Sequence, residues 1–207
     1  MRVTAIEELS RSRSKIYIDG EFAFVLYKGE RRLYHLQVGE EIAQKDHDEI
    51  WNKVLPKRAK LRAMNLLTKR EYTEKQLYDK LKEGLYPPEV IREALDYVAE
   101  FHYTDDLRYA CDYIVGHEET RSRRRIEQDL IGKGIDRATL ERAWAKWEEQ
   151  GGSQDEAAMI RALLKKRGYD PECEDIRERQ KTYAFLMRKG FSGDAVRKAL
   201  KADDIDT

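Results

Sequence analysis

The chain has 207 residues, of which 40 are lysine or arginine and 40 are aspartate or glutamate, so its formal net charge is zero. Charged residues make up 39% of the sequence, which is typical of helices with an exposed face and argues against a sheet buried on both sides. The sequence has neither the apolar segment of a secretion signal nor a run of about 18 apolar residues that could cross a bilayer. We therefore expect a cytoplasmic protein with no membrane contact.

The sequence offers no pattern typical of catalysis or metal binding. Neither GxxxxGK[ST] nor GxGxxG, the loops that bind phosphates, occurs in it. Cys111 and Cys173 have no CxxC partner, and the four histidines lack the spacing of metal ligands. Asp105 and Asp106 follow Thr104 at a predicted helix start, where carboxylates stabilise free backbone amides. We expect a protein that is not an enzyme and needs no cofactor or metal.

The amino-terminal segment is predicted to form a small sheet. Residues 14–26 contain an Asp-Gly pair between two apolar runs, and this pair supplies the positive φ angles of a type I′ hairpin turn. Strict alternation along the two strands would place Phe24 on the same face as Tyr17 and Phe22. Because two strands are marginally stable alone, residues 3–9 are predicted as a third strand, and we expect the sheet to dock on the first helices.

The rest of the chain contains an internal repeat. In residues 81–95, 130–144 and 186–200, a leucine precedes an alanine by thirteen positions, with a glycine between them that is typical of a helix end. The repeat therefore predicts a helix, a turn and a second helix in each copy. A further helical stretch precedes each pair, at residues 57–70, 105–117 and 155–167.

These patterns predict a mainly α protein. Three tandem three-helix repeats are expected to form an elongated helical array, preceded by the hairpin or three-stranded segment. Two helix starts have capping-box spacing, Thr73 with Gln76 and Ser153 with Glu156. The predicted domains are the β-rich extension and three repeats, at 1–50, 51–103, 104–150 and 151–207.

The three units resemble the RecX family of regulators of the RecA recombinase. The resemblance lies in the order and number of the units, in HYTDDLRYACDYI at 102–114, which is similar to the family's second-unit opening, and in RRRIEQDLIGKGI at 123–135. It covers roughly residues 58–200. The sequence departs from the pattern at Leu85, where the other two copies have glycine, and in an acidic insertion at 170–179.

The resemblance implies a non-catalytic protein that binds the RecA filament on single-stranded DNA, lying along its helical groove. Such proteins restrain filament growth, ATP hydrolysis, strand exchange and the co-protease activity that triggers the SOS response. The expected partners are therefore the RecA filament and single-stranded DNA, contacted directly or through the filament. We expect inhibition as the mode of regulation and a monomeric chain.

Basic residues are concentrated in three runs although the whole chain is neutral. Residues 57–70 contain six basic and no acidic residues, 121–133 contain five against two, and 176–189 contain five against one. Because such runs fall in the predicted first and second helices of the units, they predict a surface for phosphates or carboxylates. The candidate contacts, including a tyrosine that could stack on a base, are Lys57, Arg58, Lys60, Arg62, Lys69, Arg70, Arg108, Tyr109, Arg121, Arg123, Arg124, Arg125, Lys133, Lys165, Lys166 and Arg167.

The segment TRSRRRIEQDL at 120–130 supplies the leading candidates among these, the four arginines. A helix through the segment would place Arg121, Arg124 and Arg125 on one side, while Ile126 points towards the core. Such an arginine face could bind phosphates or carboxylates.

Two other functions remain open. A freestanding DNA-binding protein of helix-turn-helix units would read bases with the last helix of each unit. The predicted last helices, at 87–100, 136–149 and 193–204, have net charges of −3, −1 and zero, so they would set acids against phosphates. A helical-repeat adaptor for an unrelated protein is the other alternative.

Overall fold

The computed structural model describes residues 1–170 and 175–201, apart from the side chain of Lys201. The described chain divides into two compact units, Met1–Asp105 and a second unit that begins at Asp106. Within the described ranges, no helix is both long and apolar enough to span a lipid bilayer.

The two cysteines have different positions relative to the described residues. Cys111 lies half-buried against an apolar core of the second unit and takes part in an interaction within the chain. Cys173 and part of the acidic insertion predicted at 170–179 lie outside the described residues.

The first unit opens with a three-stranded antiparallel sheet. Its strands are β1 (Val3–Glu8), β2 (Arg13–Ile18) and β3 (Glu21–Tyr27), in the order β1-β2-β3. Asp19 and Gly20 have φ angles of 50° and 90° between β2 and β3, so the predicted two-residue turn is confirmed. The predicted third strand is confirmed as β1.

The predicted position of Phe24 is wrong because the hairpin register shifts. Tyr17 pairs with Phe22, whereas Ile16 pairs with Phe24, so β3 carries one extra residue at this point. This irregularity brings Phe24 to the face of Ile16, where both side chains are fully buried. Tyr17 and Phe22 instead make an edge-to-face ring pair, and Phe22 is 42% exposed. The buried face therefore combines Ile16 with Phe24.

Helices complete the first unit and cover the buried face of the sheet. Ile16 and Phe24 belong to the same apolar core as Ala59 and Ile91, so the predicted docking of the sheet on the first helices is confirmed. The elements are α1 (Lys28–Leu33), α2 (Gln44–Glu49), a π-helical turn (Ile50–Val54), α3 (Leu55–Leu67), α4 (Glu74–Glu83) and α5 (Pro88–Glu100).

The second unit consists of two groups of helices with separate apolar cores. One core surrounds Ile126 and Trp144, and the other surrounds Ile160 and Phe191. The helices are α6 (Asp106–Val115), α7 (Arg123–Gly132), α8 (Arg137–Glu149), α9 (Glu156–Arg167), α10 (Ile176–Arg188) and α11 (Gly193–Lys201). The predicted fold class, mainly α with an amino-terminal antiparallel sheet, is confirmed. The domain boundaries remain predictions.

The repeated sequence positions have repeated structural roles. In each copy the first and third helices pack together. The equivalent leucines are all fully buried: Leu81, Leu130 and Leu186. A residue with positive φ follows the second helix of each copy: Leu85 at 62°, Gly134 at 95° and Gly190 at 89°. In the first copy the left-handed residue is therefore Leu85, while Gly84 is right-handed.

One of the two predicted capping boxes is present. Thr73 accepts a hydrogen bond from the amide of Gln76, whose side chain accepts one from the Thr73 amide, so the first is confirmed. The second is wrong, because α9 is capped by Asp155 in place of Ser153. The Asp155 carboxylate accepts from the amides of Ala157 and Ala158 at 2.9 and 3.0 Å.

Candidate binding surface

Arg58 is held inside the first unit. It donates hydrogen bonds to the Val25 carbonyl and the Glu30 carboxylate, both at 3.0 Å, and its guanidinium lies 4.4 Å from the centroid of the Tyr27 ring. Its side chain is only 15% exposed. Burial raises the pKa of nearby Tyr86, and Arg58 opposes that shift. Arg58 therefore ties α3 to β3 and α1.

The other basic candidates of the first unit differ in their contacts. Lys60 pairs with Glu93 at 2.7 Å, and Arg70 lies over the ring of Tyr72 at 4.3 Å. Because α3 ends at Leu67, Arg70 and its neighbour Lys69 follow the helix. Three exposed side chains make neither an ion pair nor a ring contact with any described residue: Lys57, Arg62 and Lys69.

The predicted arginine face around Arg121 is wrong, because α7 begins at Arg123. Ser122 precedes the helix, and its hydroxyl accepts a hydrogen bond from the Arg125 amide. Arg121 therefore lies outside α7 and does not share a helical side with Arg124 and Arg125. Ile126 is fully buried, as predicted.

Arg121 and Arg125 converge on one carboxylate. The Asp129 side chain, 15% exposed, accepts from Arg121 at 2.5 Å and pairs through its other oxygen with Arg125 at 2.9 Å. Arg121 also donates to the Tyr113 hydroxyl at 2.7 Å. Burial, and next the Asp129 charge, raise the pKa of Tyr113. The network fixes the segment before α7 to α6.

Arg123 and Arg124 are adjacent but have different surroundings. Arg123 pairs with Glu127 at 3.1 Å and Glu148 at 2.8 Å, and its guanidinium lies 4.6 Å from the Trp144 ring centroid. Arg124 is exposed and makes no ion pair with a described residue. Of the four leading arginines, it is the one that the described part of the chain leaves unpaired.

The candidates near α6 surround a row of rings. Arg108 is exposed and takes part in an interaction within the chain. Tyr109 is half-buried against the core around Ile126 and Trp144, and its ring centroid lies 6.4 Å from that of the nearly parallel Tyr113 ring. The ammonium of Lys133 lies 6.0 Å from the Tyr109 centroid and 5.3 Å from that of Tyr113. The structure therefore brings Tyr109 and Lys133 together.

The last three candidates are exposed in the final turn of α9, where positive charge is favourable beside the free carbonyls. Arg167 pairs with Glu178 at 3.3 Å and lies 5.2 Å from the Phe185 ring centroid. Lys165 and Lys166 make no ion pair with a described residue.

Sequence reasoning missed the residues that position the arginine segment. The Ser122 amide donates to the Lys189 carbonyl at 3.0 Å, and a Cβ added to Gly190 would lie 2.4 Å from the Arg125 Cβ. The Gln154 amide donates to the carbonyls of Glu118 and Arg121 at 2.7 and 3.0 Å. The repeated glycine was a signal for the first contact, whereas nothing in the sequence indicated the second.

Within the described residues there is no cluster of three or more His, Cys, Asp or Glu that could hold a metal.

The fold places this chain in a class of helical proteins in which a small amino-terminal sheet is followed by three-helix domains. Residues 59–97 match the first three-helix domain of RecX, and residues 154–200 match the third. Over 94% of its length the chain is 30% identical to regulatory protein RecX of Caldanaerobacter subterraneus subsp. tengcongensis, and the match covers 95% of that relative. The chain therefore belongs to the RecX family.

Another relative and two solved structures are also similar to this chain. Regulatory protein RecX of Bacillus subtilis is 26% identical over 94% of this chain and 73% of its own length. A crystal structure of regulatory protein RecX aligns with a TM-score of 0.57 at 26% identity, covering 96% of this chain and 98% of its own. RecX from Lactobacillus salivarius shares the fold, with a TM-score of 0.53 at 21% identity, over 74% of this chain and 99% of its own.

Proposed function

We propose that this protein regulates the RecA recombinase by binding the filament that RecA forms on single-stranded DNA. It lies in the groove of the filament as a monomer and inhibits ATP hydrolysis, strand exchange and co-protease activity, without catalysing a reaction itself. It would then act in the cytoplasm, in homologous recombination, DNA repair and the SOS response.

One observation supports this function beyond family membership. Six of the sixteen expected contacts are paired with carboxylates within the chain, but a second set is exposed and makes neither an ion pair nor a ring contact with a described residue. This second set lies on or next to the first and second helices of the repeats, where the charge pattern predicted a binding surface. Its members are Lys57, Arg62, Lys69, Arg124, Lys165 and Lys166.

The difference between the sets matters energetically. An arginine already paired with a carboxylate must give up that contact before it can bind a partner, so its net contribution to binding is small. An unpaired lysine or arginine loses only hydration and side-chain freedom, and it releases counterions when it meets a phosphate. We therefore assign the filament contacts to the unpaired set and a positioning role to Arg58, Arg121 and Arg125.

The test is the single-stranded-DNA-dependent ATPase of RecA, titrated with this protein at several salt concentrations. Binding to the naked strand is measured in parallel. We expect inhibition at protein amounts too small to coat the DNA, because the target is the filament. Tight, salt-sensitive binding to the naked strand without any effect on ATP hydrolysis would support a freestanding DNA-binding protein. No binding to DNA and no effect on the RecA ATPase would support an adaptor for another protein.

A further inference from the structure

Three aromatic rings form a column along one side of α6. Tyr109 and Tyr113 lie four residues apart with their rings within 13° of parallel and their centroids 6.4 Å apart. His117, another four residues on, lies 4.0 Å from Tyr113 at 20°. Tyr109 and Tyr113 pack against the core around Ile126 and Trp144. All three side chains are half-buried and thus partly open to solvent.

Positive charge surrounds this column. The Lys133 ammonium contacts the rings of Tyr109 and Tyr113, and the Arg121 guanidinium lies 5.9 Å from the Tyr113 centroid. The nearby carboxylate of Asp129 is engaged by Arg121 and Arg125 together. Three cations therefore lie near the aligned rings, and two of them share the Asp129 carboxylate.

We propose that this column is a direct stacking surface for the bases of a single-stranded nucleic acid, with Lys133 and Arg124 facing its phosphates. Arg124 is the neighbour of Arg125 in α7 and makes no ion pair with a described residue. Every base has a flat π face, so rings beside a cationic surface bind unpaired strands with little dependence on sequence. A duplex hides those faces within its own stack. A purely acidic protein partner would engage the cations but gain nothing from parallel rings, which favours a strand over a protein.

This inference deepens the proposed function, because it makes the strand within the filament a direct ligand. It also stands apart from that function, since it predicts binding to a naked strand without RecA. The experiment below therefore uses the full-length chain and a fluorescent oligothymidylate, with RecA absent.

Tyr109 is the position to change, because the Tyr113 hydroxyl is bonded to Arg121 and Asp129. Tyr109→Leu removes the ring and retains an apolar side chain against the core. Loss of one stacked base is expected to weaken strand binding about 5- to 100-fold. Tyr109→Phe keeps the ring and is the matched control, with affinity within about 2-fold of the wild type. Thermal unfolding of each variant reports whether the fold is retained.

The salt dependence separates stacking from charge. Because salt acts through displaced counterions, Tyr109→Leu should lower affinity at every salt concentration and leave the slope of log affinity against log salt unchanged. Arg124→Glu should make that slope shallower by about one or more. Photocrosslinking of a 5-iodouridine strand to the wild-type protein, followed by peptide mapping, provides a readout without substitution, and Tyr109 or Tyr113 should carry the crosslink.

Unchanged strand affinity in Tyr109→Leu, or a crosslink confined to other residues, would overturn the inference. If Tyr109→Leu binds the naked strand normally but no longer inhibits the RecA ATPase, the column is a protein interface: the inference fails and the proposed function stands. If the wild type binds the strand through Tyr109 but never affects RecA, the inference stands and the proposed function fails.

Discussion

Arg58 and Lys57 are neighbours in α3 with opposite surroundings. The guanidinium of Arg58 is engaged by a backbone carbonyl of β3 and by the Glu30 carboxylate, whereas Lys57 is exposed and makes no ion pair with a described residue. A charged side chain can thus stabilise the fold, as Arg58 does, or remain available to a partner, as Lys57 does, even when the two residues are adjacent.

The residue-scale prediction uses this pair. Arg58→Gln should lower the free energy of unfolding by about 2–3 kcal/mol, because it leaves Glu30 and the Val25 carbonyl without their donor in a partly buried site. Lys57→Gln is the matched control and should change stability by less than about 0.5 kcal/mol. Urea unfolding measures both. Equal stability of the two variants would show that Arg58 is no more structural than its neighbour.

The sequence could predict which residues are basic but not which of them are available. Arg58 meets Val25 and Glu30 across separations of 33 and 28 residues, and such contacts depend on how the sheet docks on α3. The unpaired state of Arg124 is equally invisible, since its neighbours Arg123 and Arg125 carry the same charge and have partners.

At the scale of elements, the turn at Gly190 is one of the contacts between the third repeat and the start of α7. Its φ is 89°, and a Cβ there would lie 2.4 Å from the Arg125 Cβ and 2.6 Å from the Ser122 hydroxyl. Glycine is therefore required both by the backbone angle and by the close approach of the neighbouring helix.

Gly190→Ala and Gly151→Ala separate these two requirements. Gly151 has nearly the same φ, 87°, but no atom within 4 Å of an added Cβ. Gly151→Ala should cost about 1–2 kcal/mol from backbone strain alone. Gly190→Ala adds the steric overlap, and we expect a further loss of about 1–3 kcal/mol. Thermal unfolding checks both, and an equal loss in the two variants would contradict the close packing at Gly190.

The start of α9 gives a second prediction at this scale. Asp155→Ala should destabilise the protein by about 1 kcal/mol, because two amides lose their acceptor. Ser153→Ala should change stability by less than about 0.5 kcal/mol, since its exposed side chain is not the cap. Chemical denaturation distinguishes the two. The reverse order would restore Ser153 as the capping residue.

Element types could be predicted more securely than their details. The Asp-Gly turn and the repeated leucines are determined by local conformation and by helical spacing, both visible in the sequence. The irregular register in β3 is not, because strict alternation is the default expectation for a strand. Near the start of α9, both Ser153 and Asp155 have a side-chain oxygen that can cap a helix. The capping-box spacing alone favoured Ser153, whereas the structure has Asp155 as the cap.

At the scale of the whole molecule, the net charge of zero hides two features: charges are segregated along the chain, and many charged side chains are paired in the fold. Forty basic residues balance forty acidic residues, yet unpaired basic side chains occur in both compact units. A neutral chain has little long-range attraction for a polyanion, so binding must depend on local contacts. The fold class could be predicted because the repeat recurs three times. Which cores merge and which remain separate could not, because that depends on side-chain packing between elements.

The central claim is that unpaired basic side chains bind the filament, and Arg124→Glu tests it most directly. Arg142→Glu is the control, since Arg142 is also exposed and makes no ion pair with a described residue but lies on α8, the third helix of its repeat. The measurement is the affinity of each labelled variant for a RecA filament preformed on single-stranded DNA, followed by fluorescence anisotropy. Arg124→Glu should bind about 5- to 30-fold more weakly than the wild type, with an unchanged melting temperature. Arg142→Glu should remain within about 2-fold. Equal affinities of the two variants would contradict the account.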